Sequence, residues 1–264
     1  MNKGKNWIKF CDVSSESIPG LIINELPPIQ MTPKRVKKIE IEGRDGDIVE
    51  ELGYMSYDKP IQMSLTEGYD IDKVFGWLNN SGKLILSNEP NKVYTAAVYD
   101  TVAFERLVKF KTATVKFHVQ PFKKFTEDWA ISYADTTGNL KEWARNEGNI
   151  YSYPIIEAKI GTVNWFSLYL KRERDDVLGT YDENGNINVY FDKEEGKTYS
   201  AIIDCEKVKV TIKDNEGVDV PIKHLHYSGK LILAPGDNQV LLERYGGFEG
   251  DMTEMKISNM SRWL

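Results

Sequence analysis

The sequence predicts a mainly β protein made of two β-rich domains and one short helix. Three observations carry that prediction. Apolar and polar residues alternate in most structured-looking runs, as in Ile39-Glu40-Ile41-Glu42 and Lys209-Val210-Thr211-Ile212, and a strand sends successive side chains to opposite faces. One stretch breaks that period: Ile71, Val74, Phe75 and Leu78 form the i, i+3, i+4, i+7 stripe of an amphipathic helix over residues 70–80. Residues 123–148 then change character, with turn-rich clusters such as Thr136-Thr137-Gly138-Asn139 and Asn146-Glu147-Gly148-Asn149. This change divides the chain into a first domain over 1–128, a connector over 129–148 and a second domain over 149–264.

The stretch from residue 36 to 65 organises the first domain. Residues 36–42 and 48–52 read as the two strands of a hairpin, with Ile39 and Ile41 facing a core and Glu40 and Glu42 facing water. Gly43 and Gly46 bracket Arg44-Asp45, so the chain can take positive φ and reverse there. Residues 60–65 alternate again, with Pro60 opening the strand because proline cannot donate in a ladder.

The remaining elements follow in order. Trp7-Ile8-Lys9-Phe10 and Leu21-Ile22-Ile23 are short strands separated by a Pro19-Gly20 turn. Pro27-Pro28 and Pro33 keep the chain extended up to the hairpin. Asp70 caps the helix start and Ser81-Gly82 closes its end. Strands follow at 83–86, 93–99, 107–110 and 113–119, with a turn at Asn88-Glu89-Pro90-Asn91. In the second domain, strands are expected at 155–160, 165–170, 187–191, 199–203, 208–212, 231–233, 240–242 and 255–258. Asn184-Gly185, Glu216-Gly217 and Pro235-Gly236 supply turns between some of these strands. Short strands at this spacing form a β-sandwich.

Charge and composition narrow the function. The chain has 264 residues and a net charge of −6. Through Asp128 the 18 basic and 18 acidic residues cancel, so the second part carries the whole excess. Neither part has the basic balance of a nucleic-acid binder. The run Lys34-Arg35-Val36-Lys37-Lys38 reads as a solvated strand end. No apolar run reaches the roughly 20 residues of a membrane helix, and the first residues lack the apolar core of a signal peptide. Cys11 and Cys205 sit in no metal-ligand pattern and read as reduced thiols.

No catalytic constellation stands out, and neither catalytic residues, a cofactor nor a metal are expected. His118 alternates within a strand and reads as structural. His224 and His226 share a strand face, but no third ligand completes a metal site. The run Asp182-Glu183-Asn184-Gly185-Asn186 fails as a calcium loop because Ile187 and Lys193 stand where glycine and glutamate are required. A glycosidase pair among the 40 acidic residues cannot be singled out. Tyr133, Trp143, Tyr151, Tyr153, Trp165, Tyr169, Tyr181, Tyr190 and Tyr199 concentrate aromatic rings in or just before the second domain. Core packing and sugar binding both use such rings.

The order of these features resembles the siphophage distal tail protein (Dit) family over nearly the whole chain. In the first domain the resemblance rests on the Gly43-Arg44-Asp45-Gly46 hairpin, the Tyr54 and Tyr57 segment, the helix and the strand pair around Asn88-Glu89-Pro90-Asn91. In the second it rests on Pro154, Ile202-Ile203-Asp204, Leu233-Ala234-Pro235-Gly236-Asp237-Asn238 and the closing Arg262-Trp263. The resemblance implies a tail-tube-like first domain and a galectin-like or carbohydrate-module-like second one. It implies a non-enzymatic virion protein, assembled in the host cytoplasm, that forms a homo-hexameric hub ring at the tip of a long non-contractile phage tail. Implied partners are the tail tube protein, the tail-associated protein and, in many members, the receptor-binding protein or a host-surface glycan. Gly43, Arg44, Asp45 and Gly46 are then candidates for the ring interface, and the neutral first domain lets six copies approach without net repulsion. The competing readings are a free carbohydrate-binding β-sandwich protein and a sugar-active enzyme.

Overall fold

The computed structural model describes residues 6–106, 111–127, 129–134, 139–173, 181–244 and 252–264. The expected strand at 107–110 and the turn residues 136–138 lie outside these. The chain divides into two compact units, Met1–Thr126 with Leu264, and Glu127–Trp263.

The first unit contains strands β1 (Ile8–Phe10), β2 (Val13–Ser14), β3 (Leu21–Glu25), β4 (Lys34–Glu40), β5 (Asp47–Tyr54) and β6 (Tyr57–Leu65). Helix α1 (Ile71–Leu78) follows, then β7 (Ser81–Leu86), β8 (Glu89–Ala97), β9 (Glu105–Arg106), β10 (Lys111–Val119) and β11 (Lys123–Phe125). Its main sheet runs β2-β1-β7-β8-β10-β6-β3. Alternation along β6 turns Tyr57, Lys59, Ile61, Met63 and Leu65 inward. Tyr57, Ile61, Met63 and Leu65 join Phe10, Leu84, Tyr94 and Phe117 in one core. The helix is too short to be stable alone. It is held by burial of Val74, Trp77 and Leu78, at roughly 1.5–3 kcal/mol per large apolar side chain. The Trp77 ring packs edge-on to Phe10 at 6.1 Å, and its Nε1 donates to the Phe10 carbonyl at 3.0 Å. Asp70 caps the helix as expected, accepting from the amides of Asp72 and Lys73. The other end closes on Asn79 and Asn80, since Asn80 donates to the carbonyls of Gly76 and Trp77. Ser81 and Gly82 already belong to β7.

Two expectations fail here for identifiable reasons. Pro60 lies inside β6, opposite Lys116 of β10. It is tolerated because β3 pairs with β6 only as far as Gln62, which leaves one edge of β6 open at Pro60. The turn placed at residues 88–91 is tighter, at Ser87-Asn88, and β8 starts at Glu89.

The second unit contains β12 (Trp129–Tyr133), β13 (Leu140–Asn146), β14 (Ile155–Gly161), β15 (Trp165–Glu173), β16 (Tyr181–Phe191) and β17 (Tyr199–Asp204). It continues with β18 (Lys209–Asp214), β19 (Asp219–Val220), β20 (Ile222–Gly229), β21 (Gly236–Arg244), β22 (Glu254–Ser258) and β23 (Arg262–Trp263). A six-stranded sheet, β12-β22-β14-β17-β18-β19, and a five-stranded sheet, β13-β21-β15-β16-β20, make a sandwich. Ile156, Ala201, Ile203, Ile212 and Ile257 of one sheet share a core with Phe166, Leu168, Val189, Val240 and Leu242 of the other.

Residues 129–148 are therefore no connector. They supply β12, paired with β22, and β13, paired with β21. Leu140, Ala144 and Asn146 point inward in β13. A small alanine and a polar asparagine at core positions conceal the alternation. Residues 231–233 are buried but join only through a bridge between Leu233 and Ser152. Gly185 sits within β16 and not in a turn. A Cβ there would lie 2.6 Å from the Lys230 carbonyl oxygen, so glycine permits a close backbone crossing. The stretch Leu233 to Asn238 also has a local cause. Asn238 is buried, its Oδ1 accepts from the Ala234 amide, and its Nδ2 donates to the carbonyls of Ala234 and Gly236. One side chain thereby closes the Pro235-Gly236 loop.

Candidate assembly surface

Among the described residues, strands β4 and β5 pair with each other and with no other strand. Every residue of both is exposed except Tyr54. The expected core under Ile39 and Ile41 does not exist, and the hairpin is a solvated arm. Ile39 and Ile48 stand directly opposite each other across the ladder. They are 38% and 39% exposed, and Val49 is 53% exposed. An arm with bare β-branched side chains on a two-stranded ribbon is marginal by itself.

Charge pairs cross the arm from strand to strand. Lys34 Nζ lies 2.6 Å from Glu51, Lys38 Nζ 3.7 Å from Asp47, and Lys37 Nζ 3.9 Å from Glu50. These pairs are exposed and each contributes little. The bond to Glu51 raises the Lys34 ammonium above its usual pKa. The basic run at residues 34–38 is thus half of a cross-strand ion ladder. At the tip, Gly43 and Gly46 take φ of 79° and 78°. The Arg44 amide donates to the Ile41 carbonyl at 3.1 Å. Neither the Arg44 nor the Asp45 side chain has an ion pair or hydrogen bond among the described residues. The sequence-predicted site residues are together at the arm's end, presented to solvent.

The arm's root is fixed by contacts that sequence reasoning missed. The proline-rich segment before β4 has no ladder of its own, so side chains satisfy its carbonyls. Asn88 donates to the Pro27 carbonyl at 3.0 Å, and Lys59 reaches the Pro28 carbonyl at 3.4 Å. The Thr32 hydroxyl donates to the Pro121 carbonyl, and the Met55 amide to Pro33 at 2.9 Å. Lys59 is only 1% exposed, and its Nζ lies 4.9 Å from the centre of the Tyr94 ring. Beside it, Lys123 pairs with Glu89 at 3.0 Å, and the Tyr94 hydroxyl donates to the other Glu89 oxygen. Burial pulls the Lys59 pKa below its ordinary value, with Glu89 opposing and Lys123 adding to the effect. Burial first, and then the bond to Glu89, hold the Tyr94 hydroxyl far above the usual phenol range. The legible signal was a lysine at an inward position of β6, between Tyr57 and Ile61.

The other singled-out residues lie elsewhere. His118 contacts Asp58 at 2.9 Å across β10 and β6. His224 and His226 stack at 6.5 Å on the edge strand β20. The Asp182 to Asn186 stretch lies within a strand and forms no loop. Both cysteines are free, and burial pushes the Cys205 thiol up to about 12. Among the described residues, no helix is long and apolar enough to cross a membrane, and no group of three His, Cys, Asp or Glu side chains is placed to hold a metal ion.

No protein-family model and no curated protein matches the sequence. Solved structures do match. The crystal structure of the SPP1 Dit (gp 19.1) protein superposes with a TM-score of 0.69 at 15% identity, over 98% of this chain and 99% of that one. The chain has the distal tail protein fold. SPP1 Dit is described as a paradigm of the hub adsorption apparatus in phages infecting Gram-positive hosts. A chain of the phage P2 baseplate in its activated, calcium-bound conformation also matches. It gives a TM-score of 0.52 at 7% identity, over 98% of both chains. The distal-tail likeness spans both units and so includes the sandwich as well as the arm-bearing sheet.

Proposed function

We propose that this protein is a structural hub subunit at the tip of a long non-contractile phage tail or prophage tail-like particle. In this reading it is not an enzyme. Its first unit closes a homo-hexameric ring that joins the tail tube to the tail-associated and receptor-binding apparatus, and its acidic second unit projects outward. The observation that carries the proposal is the end-to-end match to a phage hub protein, joined to an arm whose apolar side chains are left bare.

The arm is the contact that passes from one copy to the next. Ring contacts are heterologous, so the arm of one subunit meets a different surface of its neighbour and the pattern repeats until it closes. The unpaired edges of a two-stranded ribbon can extend a neighbouring sheet. The tip residues Gly43, Arg44, Asp45 and Gly46 are the first to meet that neighbour. Because the arm is exposed along its length apart from Tyr54 at its root, whose ring meets Phe122 edge-on at 5.3 Å, deletion of residues 43–47 is expected to leave a folded chain that no longer forms rings. Light scattering and thermal melting of the deletion check both halves of this statement. A deletion that still assembles into rings contradicts the arm's role.

A further inference from the structure

The buried polar cluster at the arm's root carries more positive charge than its own residues balance. Lys59 and Lys123 are both buried, and Glu89 is the carboxylate that acts on both. Both Glu89 oxygens are taken, one by Lys123 at 3.0 Å and the other by the Tyr94 hydroxyl. Two ammonium groups against one carboxylate leave one positive charge over. Lys59 carries the deficit. An ammonium has three N–H donors. Among the described residues this one makes a single hydrogen bond, to the Pro28 carbonyl, and that bond is long at 3.4 Å. The faces of Tyr94 and Tyr57, with ring centres 4.9 Å and 5.7 Å away, attract the charge but more weakly than a counter-ion does. Lysine is almost never fully buried unless paired.

A second donor at the same place also lacks an acceptor. Tyr57 stands two residues before Lys59 on the same inward face of β6. It is only 9% exposed, and its buried hydroxyl has no hydrogen-bond partner. Burial raises its pKa, the nearby Thr32 hydroxyl opposes the rise, and Glu89 adds to it. Thr32 gives its own hydrogen to the Pro121 carbonyl. A buried donor without an acceptor is costly, and in folded proteins such a group marks a bound ion or an ordered water.

We propose that the Lys59 ammonium and the Tyr57 hydroxyl bind a small monovalent anion, with chloride as the ligand. One negative charge matches the one positive charge left over. A sulfate or phosphate dianion would overshoot it and bring more acceptor oxygens than these two groups have donors. A water would accept from the two donors and leave the charge uncompensated. A halide is spherical and accepts from any direction, which suits donors that have no acceptor of their own. The bound anion would favour the charged form of Lys59 against the effect of burial. Lys59 also holds the Pro28 carbonyl of the segment that leads into the arm, so the anion would firm the arm's root. The site lies within one subunit and stands whether or not the ring forms.

The test follows thermal melting of the full chain at constant ionic strength while sodium chloride replaces sodium gluconate, from about 5 to about 300 mM. For a Kd of about 30 mM, the first unit's transition is expected to rise by about 5 °C across the series, with the second unit's transition unmoved. Tyr57→Phe keeps the ring and removes the donor, and is expected to weaken chloride by about tenfold. Lys59→Met is expected to abolish the response. In crystals grown from sodium bromide, an anomalous peak is expected in contact with both groups. Identical melting in chloride and gluconate overturns the proposal and leaves the two donors to water. A chloride response that survives both variants also overturns it, because the ion then acts elsewhere. A bromide peak without any chloride-dependent shift means an adventitious ion only and overturns it as well.

Discussion

Replacing Ile39 and Ile48 together with threonine separates a folding role of the arm from an assembly role. Threonine keeps the β-branch, so the strands retain their preference. The two isoleucines face each other as a direct cross-strand pair. Such a pair contributes roughly 0.2–1 kcal/mol, which limits the loss of folding stability to about that amount. The larger effect is on assembly. Each side chain is still about 40% exposed, and full burial of an isoleucine is worth roughly 1.5–3 kcal/mol. A neighbour that covers the remainder gains about 1 kcal/mol per side chain, or about 2 kcal/mol per interface, close to a 30-fold change in association constant. Sedimentation velocity over a concentration series measures this directly, with a thermal melt in parallel. Assembly unchanged within a factor of about three refutes the arm as the contact. A fall in melting temperature of about 10 °C or more refutes the claim that Ile39 and Ile48 add little to the stability of the free chain.

Three further outcomes test the reading of the two units. Glu89→Gln leaves Lys59 and Lys123 buried without a counter-charge and is expected to cost about 3–5 kcal/mol, seen as a downshifted melting transition of the first unit with the second unit's transition unmoved. Trp77→Ala removes the helix anchor and its bond to the Phe10 carbonyl. A loss of about 3–5 kcal/mol is expected in urea unfolding. Asp214 is held below the usual carboxylate range by its bond to Lys197 and then by the Val218 amide. That stability is present above the unfolded carboxylate pKa of about 4 and fades as pH falls through the depressed folded value. The melting-temperature gap between wild type and Asp214→Asn should therefore be widest near neutral pH and close on acidification.

The parts that were legible in the sequence are those where local chemistry and burial agree. Residues 70–80 carry both a capping aspartate and an apolar stripe, and α1 lies there. The arm shows the limit of pattern alone. Alternating Ile39, Glu40, Ile41 and Glu42 reads identically whether the apolar side faces its own core or another molecule, because the period fixes the strand and not its cover. Strand β13 was hidden for the opposite reason, since Ala144 and Asn146 are buried without being strongly apolar. The arm's tip was legible from Gly43 and Gly46. Its root was not, because Lys59, Glu89 and Lys123 are distant in sequence and only the fold brings them together.

Negative-stain electron microscopy of the purified protein at high concentration tests the central claim most directly. The account predicts closed rings of six subunits with a projecting outer lobe on each. Single particles alone, both for the isolated protein and after mixing with its tail tube and tail-associated partners, would contradict it.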